Sequence, residues 1–195
     1  SHGDTKHVLL FPEDPRECFD HAAAALDLAD RLQTPVFVLT DLDIGMNQRL
    51  CEPFTWDDSR EYDRGKVMTR DDLDAGRDFG RYKDVDGDGI PYRTYPGTHP
   101  TLGGYFTRGT TKNAYAVYSE AGPDYIYNVQ RLLRKFETAR ELVPQPILHA
   151  AKQKTRAGAI FYGSTSPAMA EAVVGIDMAR GGGPNGDALM TESMA

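Results

Sequence analysis

Thr34-Pro-Val-Phe-Val-Leu-Thr-Asp41, continued by Leu42-Asp-Ile-Gly-Met-Asn47, is the stretch whose reading decides the fold. Residues 36–39 form an unbroken apolar, β-rich run that stops at Thr40-Asp41, with Gly45 in the following loop. Runs without polar alternation fit strands buried on both faces of a parallel sheet. In open α/β sheets, ligands bind at the loop after the carboxyl end of such a strand. Asp41, Asp43 and Asn47 are therefore the first candidate ligand residues.

Upstream of this run, residues 7–11 read as a short strand ended by Pro12. Asp14 is placed to cap a helix, with Pro15 first and Glu17 third, a capping box with proline at its preferred position. Cys18, Ala22, Ala25, Ala29 and Leu32, flanked by Phe19 and Leu26, form the expected apolar stripe. Residues 7–40 thus read as a β-α-β unit with parallel strands and a right-handed crossover.

Residues 48–120 are rich in Gly, Pro, Asp, Arg and Tyr. They predict loops, a small helix near residues 70–75, and short antiparallel strands at Tyr105-Phe-Thr107 and Tyr115-Ala-Val-Tyr118. Gly122-Pro123 opens a long helix over residues 123–143, with Tyr125, Ile126, Val129, Leu132, Leu133, Phe136, Ala139 and Leu142 as its apolar stripe. Pro144 and Pro146 stop it. Residues 157–162 form a further buried-type strand, and Ser166-Pro167 starts another helix. One strand and part of one helix cannot enclose a core, so this second α/β unit is expected to be completed by another chain or cut short. The Gly-rich end, residues 175–195, is expected to be disordered.

The 195 residues carry a formal charge of −7, which argues against nonspecific nucleic-acid binding. Charge is uneven: eleven acids face seven bases over residues 57–88, and seven bases face two acids over residues 131–156. Solvated faces, or surfaces that pair with each other, account for this better than a dedicated partner patch. Cys18 and Cys51 have neither metal-ligand spacing nor a disulfide framework, which fits a reducing cytoplasm. The apolar runs are too short to span a bilayer.

Four motifs carry possible chemistry. Asp84-Val-Asp-Gly-Asp-Gly89 resembles the start of a calcium loop, but Tyr95 stands where the bidentate glutamate belongs. A turn whose aspartates cap backbone N–H groups is the preferred reading. His2-Gly-Asp-Thr-Lys-His7 is an ordinary polar turn or an active-site loop. Gly163-Ser-Thr-Ser-Pro is a candidate strand-to-helix anion cradle, without the GxGxxG or P-loop patterns. Tyr92, Arg93, Tyr95 and Arg108 form an anion patch or simply pack the linker. No Ser/His/Asp or Cys/His nucleophile arrangement follows from spacing.

Taken in order, Ser1-His-Gly-Asp-Thr-Lys-His7, residues 34–47, Tyr62-Asp-Arg-Gly-Lys66, Phe79-Gly-Arg-Tyr82, Asp84-Val-Asp-Gly-Asp-Gly-Ile-Pro-Tyr-Arg93, Tyr105-Phe-Thr-Arg-Gly109, Leu132-Leu-Arg-Lys-Phe-Glu-Thr-Ala-Arg140 and Tyr162-Gly-Ser-Thr165 resemble one family. It is the α subunit of 2-oxoacid:ferredoxin oxidoreductases of the 2-oxoglutarate synthase type. The resemblance implies an α/β fold. Residues 1–50 would end a pyrimidine-binding thiamine diphosphate domain, 51–145 would be a connecting segment, and 146–174 would start a transketolase C-terminal-like domain. It implies oxidative decarboxylation of a 2-oxoacid, 2-oxoglutarate foremost, to an acyl-CoA with reduction of ferredoxin. Thiamine diphosphate, magnesium and an iron–sulfur cluster would be held mainly by a partner β subunit, with coenzyme A as co-substrate.

The family's glutamate that contacts the aminopyrimidine lies upstream of Ser1. So do its Tyr-Pro-Ile-Thr-Pro-type motif and its Arg-x-Gly-Pro-Ser-type loop. After about residue 172 the likeness ends. No catalytic residue or metal ligand carries over, and the chain is expected to be inactive alone. His2, Asp4, Thr5, Asp41 and Asn47 are the candidate cofactor-binding residues that the resemblance supports. The alternative is a non-catalytic assembly module that binds a partner subunit through residues 48–120 and the basic helix.

Overall fold

The computed structural model describes residues 6–149, 158–179 and 190–193. In chain order the elements are β1 (Val8–Leu10), α1 (Pro15–Leu32), β2 (Val36–Val38), α2 (Leu42–Met46), α3 (Arg70–Asp74), α4 (Gly122–Leu142), β3 (Ile147–His149), β4 (Gly158–Phe161), α5 (Ser166–Ala179) and β5 (Met190–Ser193). This is the expected mixed α/β class, with few strands and one long helix. Internal contacts divide the chain into two compact units. One comprises Ser1–Val8, Leu26–Pro35 and Arg60–Leu142; the other comprises Leu9–Ala25, Val36–Ser59 and Val143–Ala195.

In the second of these units, α1 begins as its sequence dictates. The Asp14 carboxylate accepts the Glu17 N–H at 2.8 Å, while Glu17 Oε2 accepts the N–H of Glu13, also at 2.8 Å. The reciprocal bond therefore reaches one residue further back than a standard capping box. Phe19 stacks on Phe54 with centroids 5.1 Å apart and meets Trp56 edge-on at 5.9 Å. β1 and β2 form a two-stranded sheet, extended by a bond from the Leu39 N–H to the Leu10 carbonyl. β2 is not buried on both faces. Val36 and Val38 are half-buried and Phe37 is exposed, the alternation of a strand with one covered face. A second sheet has the order β3-β5-β4, with β3 antiparallel and β4 parallel to β5. Of the segment expected to lack order, residues 175–179 continue α5 and Met190–Ser193 form β5. The helix-forming run Ala168-Met-Ala-Glu-Ala172 carries α5 past Gly175.

The expected stripe of α1 is rotated. His21, Ala23, Leu28 and Leu32 are buried, whereas Ala22 is exposed and Leu26 is 72% exposed. Leu32 is buried as expected and Cys18, Ala25 and Ala29 are half-buried, but Leu28 buries far more apolar area than the alanines and draws the face towards itself.

In the first unit, α3 forms where expected, capped by a full Thr69–Asp72 capping box. The strand pieces do not form. Residues 105–107 are irregular, bracketed by Gly103-Gly104 and Gly109, and Ala116 has φ +70°, which breaks extension at 115–118. Isolated bridges join Lys112 to Tyr118 and Val67 to Arg93. The rest of the segment is held by docking turns. The Asp84–Gly89 turn lies on α4 backbone to backbone: Arg131 donates to the Gly89 carbonyl at 3.0 Å and Thr138 Oγ1 to the Asp88 carbonyl at 2.8 Å. Arg134 meets Asp84 at 3.0 Å, so the acidic and basic stretches do pair with each other. Gly65, with φ +71°, presses on the end of α1, while Arg64 binds Asp30 at 2.9 Å.

The expected face of α4 is covered in part: Ala139 is buried and Val129, Leu132, Phe136 and Leu142 are half-buried, but these dockings draw the most buried line onto two cations. Arg131, Lys135 and Ala139 are its buried residues, whereas Tyr125, Ile126 and Leu133 are exposed. Backbone carbonyls of the Asp84–Gly89 turn, and of Gln33 at the end of α1, supply hydrogen-bond partners to the cationic line.

Candidate functional site

Three loops meet in the second unit: those after β1, β2 and β4. The sequence singled out the last two separately, and the structure brings them together. Asp41 is the N-cap of α2; its Oδ1 accepts the Ile44 N–H at 3.0 Å. Its Oδ2 accepts the Ser164 hydroxyl, and the Ser164 backbone also donates to this carboxylate. These bonds, the Ser164 hydroxyl first, hold the Asp41 carboxyl below its usual range. The anion at the Gly163-Ser-Thr turn is thus supplied by the chain itself. Gly163 takes φ +66°, Thr165 Oγ1 donates to the Tyr162 carbonyl at 2.9 Å, and α5 follows.

Asn47 terminates α2. Its amide donates to Asp43, whose other oxygen binds Arg49; Arg49 also reaches the Glu13 carbonyl at 3.3 Å. The aromatic rings of Phe11 and Tyr162 lie 4.8 Å apart across the same loops. Burial, then the neighbouring Glu17 and Asp14 charges, raise the Glu13 carboxyl. Burial and the same acids raise the Cys18 thiol, which keeps it protonated and a poor nucleophile. His2, Asp4 and Thr5 lie outside the described residues. Asp41 and Asn47 shape the loop after β2: both Asp41 carboxylate oxygens accept hydrogen bonds, and the Asn47 side-chain N–H donates to Asp43.

The calcium-like loop in the first unit is also satisfied internally. Asp84 Oδ1 accepts the N–H groups of Gly87 and Gly89, at 2.9 and 3.1 Å, and Asp88 accepts that of Ile90. Lys66 Nζ lies 2.7 Å from both Asp86 and Asp88, so an ammonium stands where a cation would bind. Burial opposes its charge, but bonds to the two aspartates raise the Lys66 pKa above the usual range. Among the described residues, no cluster of three His, Cys, Asp or Glu side chains could hold a metal ion. Of Tyr92, Arg93, Tyr95 and Arg108, only Arg93 and Tyr95 meet, through a 3.1 Å bond from the guanidinium to the Tyr95 hydroxyl. Tyr92 packs between Lys66 and Arg77, Arg93 binds Asp30 at 3.3 Å, and Arg108 lies over Tyr118.

Sequence reasoning missed a cavity of about 400 Å³ in the first unit, lined by Gln33, Arg81, Lys112, Arg131 and Lys135 among others. The available signal was the i, i+4 spacing of Arg131 and Lys135, on a face that hydropathy assigns to solvent.

The described fold as a whole matches a chain of the 2-oxoglutarate:ferredoxin oxidoreductase from Magnetococcus marinus, solved with 2-oxoglutarate, coenzyme A and succinyl-CoA bound. The TM-score is 0.74 at 18% identity, over 100% of this chain and 31% of that one. This chain resembles one stretch of a 2-oxoglutarate:ferredoxin oxidoreductase. A 54-residue stretch is 39% identical to 2-oxoglutarate synthase subunit KorA of Methanothermobacter marburgensis, covering 27% of this chain and 14% of that subunit. The chain therefore spans about a seventh of its curated relative and a third of the solved oxidoreductase chain. No family model matches it. No helix among the described residues is long and apolar enough to cross a membrane.

Proposed function

We propose that the chain is part of the α subunit of a 2-oxoacid:ferredoxin oxidoreductase that converts 2-oxoglutarate to an acyl-CoA and reduces ferredoxin. The observation that carries this reading is the fold match over the whole chain to an oxidoreductase of that activity. The 39% identity to a subunit of the same kind of enzyme supports it from sequence. On this reading residues 1–50 close a pyrimidine-binding domain, 51–145 connect, and 146–174 open a transketolase C-terminal-like domain. Bound thiamine diphosphate supplies the carbanion chemistry. The described loops are poor direct ligands for its diphosphate, because Asp41 and Asn47 are engaged with Ser164 and Asp43. Their proposed role is to fix the shape of the loop that borders the cofactor; His2, Asp4 and Thr5 are proposed as cofactor-binding residues on the family resemblance alone. Magnesium and the iron–sulfur cluster fall to the β subunit.

The purified 195-residue chain is expected to be captured by the cognate β subunit and to show no turnover of 2-oxoglutarate alone. In the complete complex, Asp41→Ala lowers 2-oxoglutarate-dependent ferredoxin reduction. Capture of the chain without any effect of loop variants on turnover would favour the non-catalytic assembly module. Failure of capture would overturn the subunit reading.

A further inference from the structure

The cavity in the first unit gathers positive charge without negative charge. Tyr82 sits at its hub: Arg81, Lys112 and Arg131 lie 5.6, 5.1 and 5.7 Å from its ring centroid. Lys135, one turn along α4 from Arg131, completes the group. Among the described residues, none of these four cations has a carboxylate within salt-bridge distance, although at least thirteen pairs of a Lys or Arg with a carboxylate form elsewhere. Their direct partners include the neutral acceptors of Gln33: Lys135 donates to its main-chain carbonyl at 3.1 Å and Arg81 to its side-chain oxygen at 2.7 Å. Asp84 lies close enough to act on Arg131, but it is already bound to Arg134 and two backbone N–H groups.

Two residues make this a built site rather than a basic surface. Arg131 is 4% and Lys135 3% exposed. Arg131 Nε is buried and has no hydrogen-bond partner. Buried cations without counter-charges are costly, and an orphaned guanidinium N–H adds to that cost. The remaining wall is apolar or neutral, with Pro35, Pro91, Val129 and Leu132.

We propose that this cavity binds a doubly charged oxyanion of a small molecule, a phosphate or a dicarboxylate, between Arg81, Arg131 and Lys135. Planar guanidinium forks match carboxylate and phosphate oxygens, and the ammonium adds a point charge. The ligand supplies the negative charge that the fold omits. Burial, with Arg131 and Arg81 nearby, lowers the Lys135 ammonium to about 7, so anion binding at neutral pH draws a proton onto Lys135. His7, Lys6 and Tyr125 also face the cavity. This inference does not rest on the oxidoreductase reading.

Calorimetry and thermal unfolding of the 195-residue chain test it, with inorganic phosphate and malonate as probes and sodium chloride at matched ionic strength as control. Saturable binding of one probe identifies its class; the expected result includes a saturable rise in Tm and, with malonate, which is already a dianion slightly above neutral pH, proton uptake read from titrations in buffers of different ionisation heat. Arg81→Gln, at the less buried rim, is expected to weaken binding roughly tenfold, a loss typical of one charge-assisted pair. Lys135→Met is expected to fold at least as well as the parent, to abolish the proton uptake and to weaken binding. Proton uptake that persists in Lys135→Met would overturn the role of Lys135. Absence of saturable binding by both probes, or equal binding by parent and Arg81→Gln, would overturn the site.

Discussion

Replacing Gly89 with alanine tests the docking of the Asp84–Gly89 turn on α4. Gly89 has φ +80°, and a Cβ there would lie 2.3 Å from the Lys135 backbone nitrogen, 2.5 Å from the Arg131 carbonyl oxygen and 2.8 Å from Lys135 Cα. All three are helix backbone atoms, so no side-chain rotation relieves the overlap. The left-handed conformation alone costs an alanine about 1–2 kcal/mol. Forcing the turn away from α4 adds about 1–3 kcal/mol of overpacking. It also stretches the Arg131–Gly89 and Thr138–Asp88 bonds, worth about 1 kcal/mol each. The total is about 5 kcal/mol, near the lower end of ordinary domain stability, roughly 5–15 kcal/mol. Gly87→Ala is the control: φ is +81°, but nothing lies within 4 Å of its Cβ, so only the conformational cost applies. Urea unfolding followed by circular dichroism, with hydrogen exchange at the Lys135 amide, compares the two variants. Gly89→Ala should lose several kcal/mol more than Gly87→Ala and expose the Lys135 amide. Equal destabilisation of the two would refute the close approach of turn and helix.

Further outcomes follow from the same geometry. Millimolar calcium should leave the Tm unchanged, because Lys66 holds Asp86 and Asp88; a calcium-dependent rise would show that these carboxylates are available. Stability should increase as pH rises from 7 towards 10. Below pH 7 both folded and unfolded chains carry the Lys135 proton; above it the folded chain has released a proton that the unfolded chain keeps up to its ordinary pKa of 10.5. The gain is about 2 kcal/mol between pH 7 and 9, read as the difference in urea midpoint between parent and Lys135→Met; a difference independent of pH would refute it. Thr69→Ala removes the α3 capping box and should cost about 1 kcal/mol in thermal unfolding, with no change at α4 by hydrogen exchange.

Much of the backbone was legible in the sequence because its punctuation is local. Asp14-Pro15 starts α1, Gly122-Pro123 starts α4 and Pro144 follows its end, each through a rule that acts within one turn. The aspartate turn was legible for the same reason, since Asp84 caps residues three and five positions on. The buried face of α4 was not. Hydropathy scores Arg131 and Lys135 by their charge and cannot see the carbonyls of Gly89 and Gln33 that receive them. Likewise, Ser164 and Asp41 were separate suspects because they stand 123 positions apart; only the fold joins them. Three of the motifs that carry the family resemblance, 62–66, 79–82 and 84–93, work in this chain as docking turns. Their unusual sequences record tight backbone contacts, at Gly65, Gly80 and Gly89, as much as chemistry.

The two buried cations of α4 have a practical consequence for anyone altering this chain. A solubility redesign guided by hydropathy would replace Ile126 and Leu133 with charged residues and treat Arg131 and Lys135 as free surface. The first pair lies in the open and should accept polar substitutes; of the second, Arg131 ties the Asp84–Gly89 turn to α4, so trimming it would weaken the fold it was meant to improve.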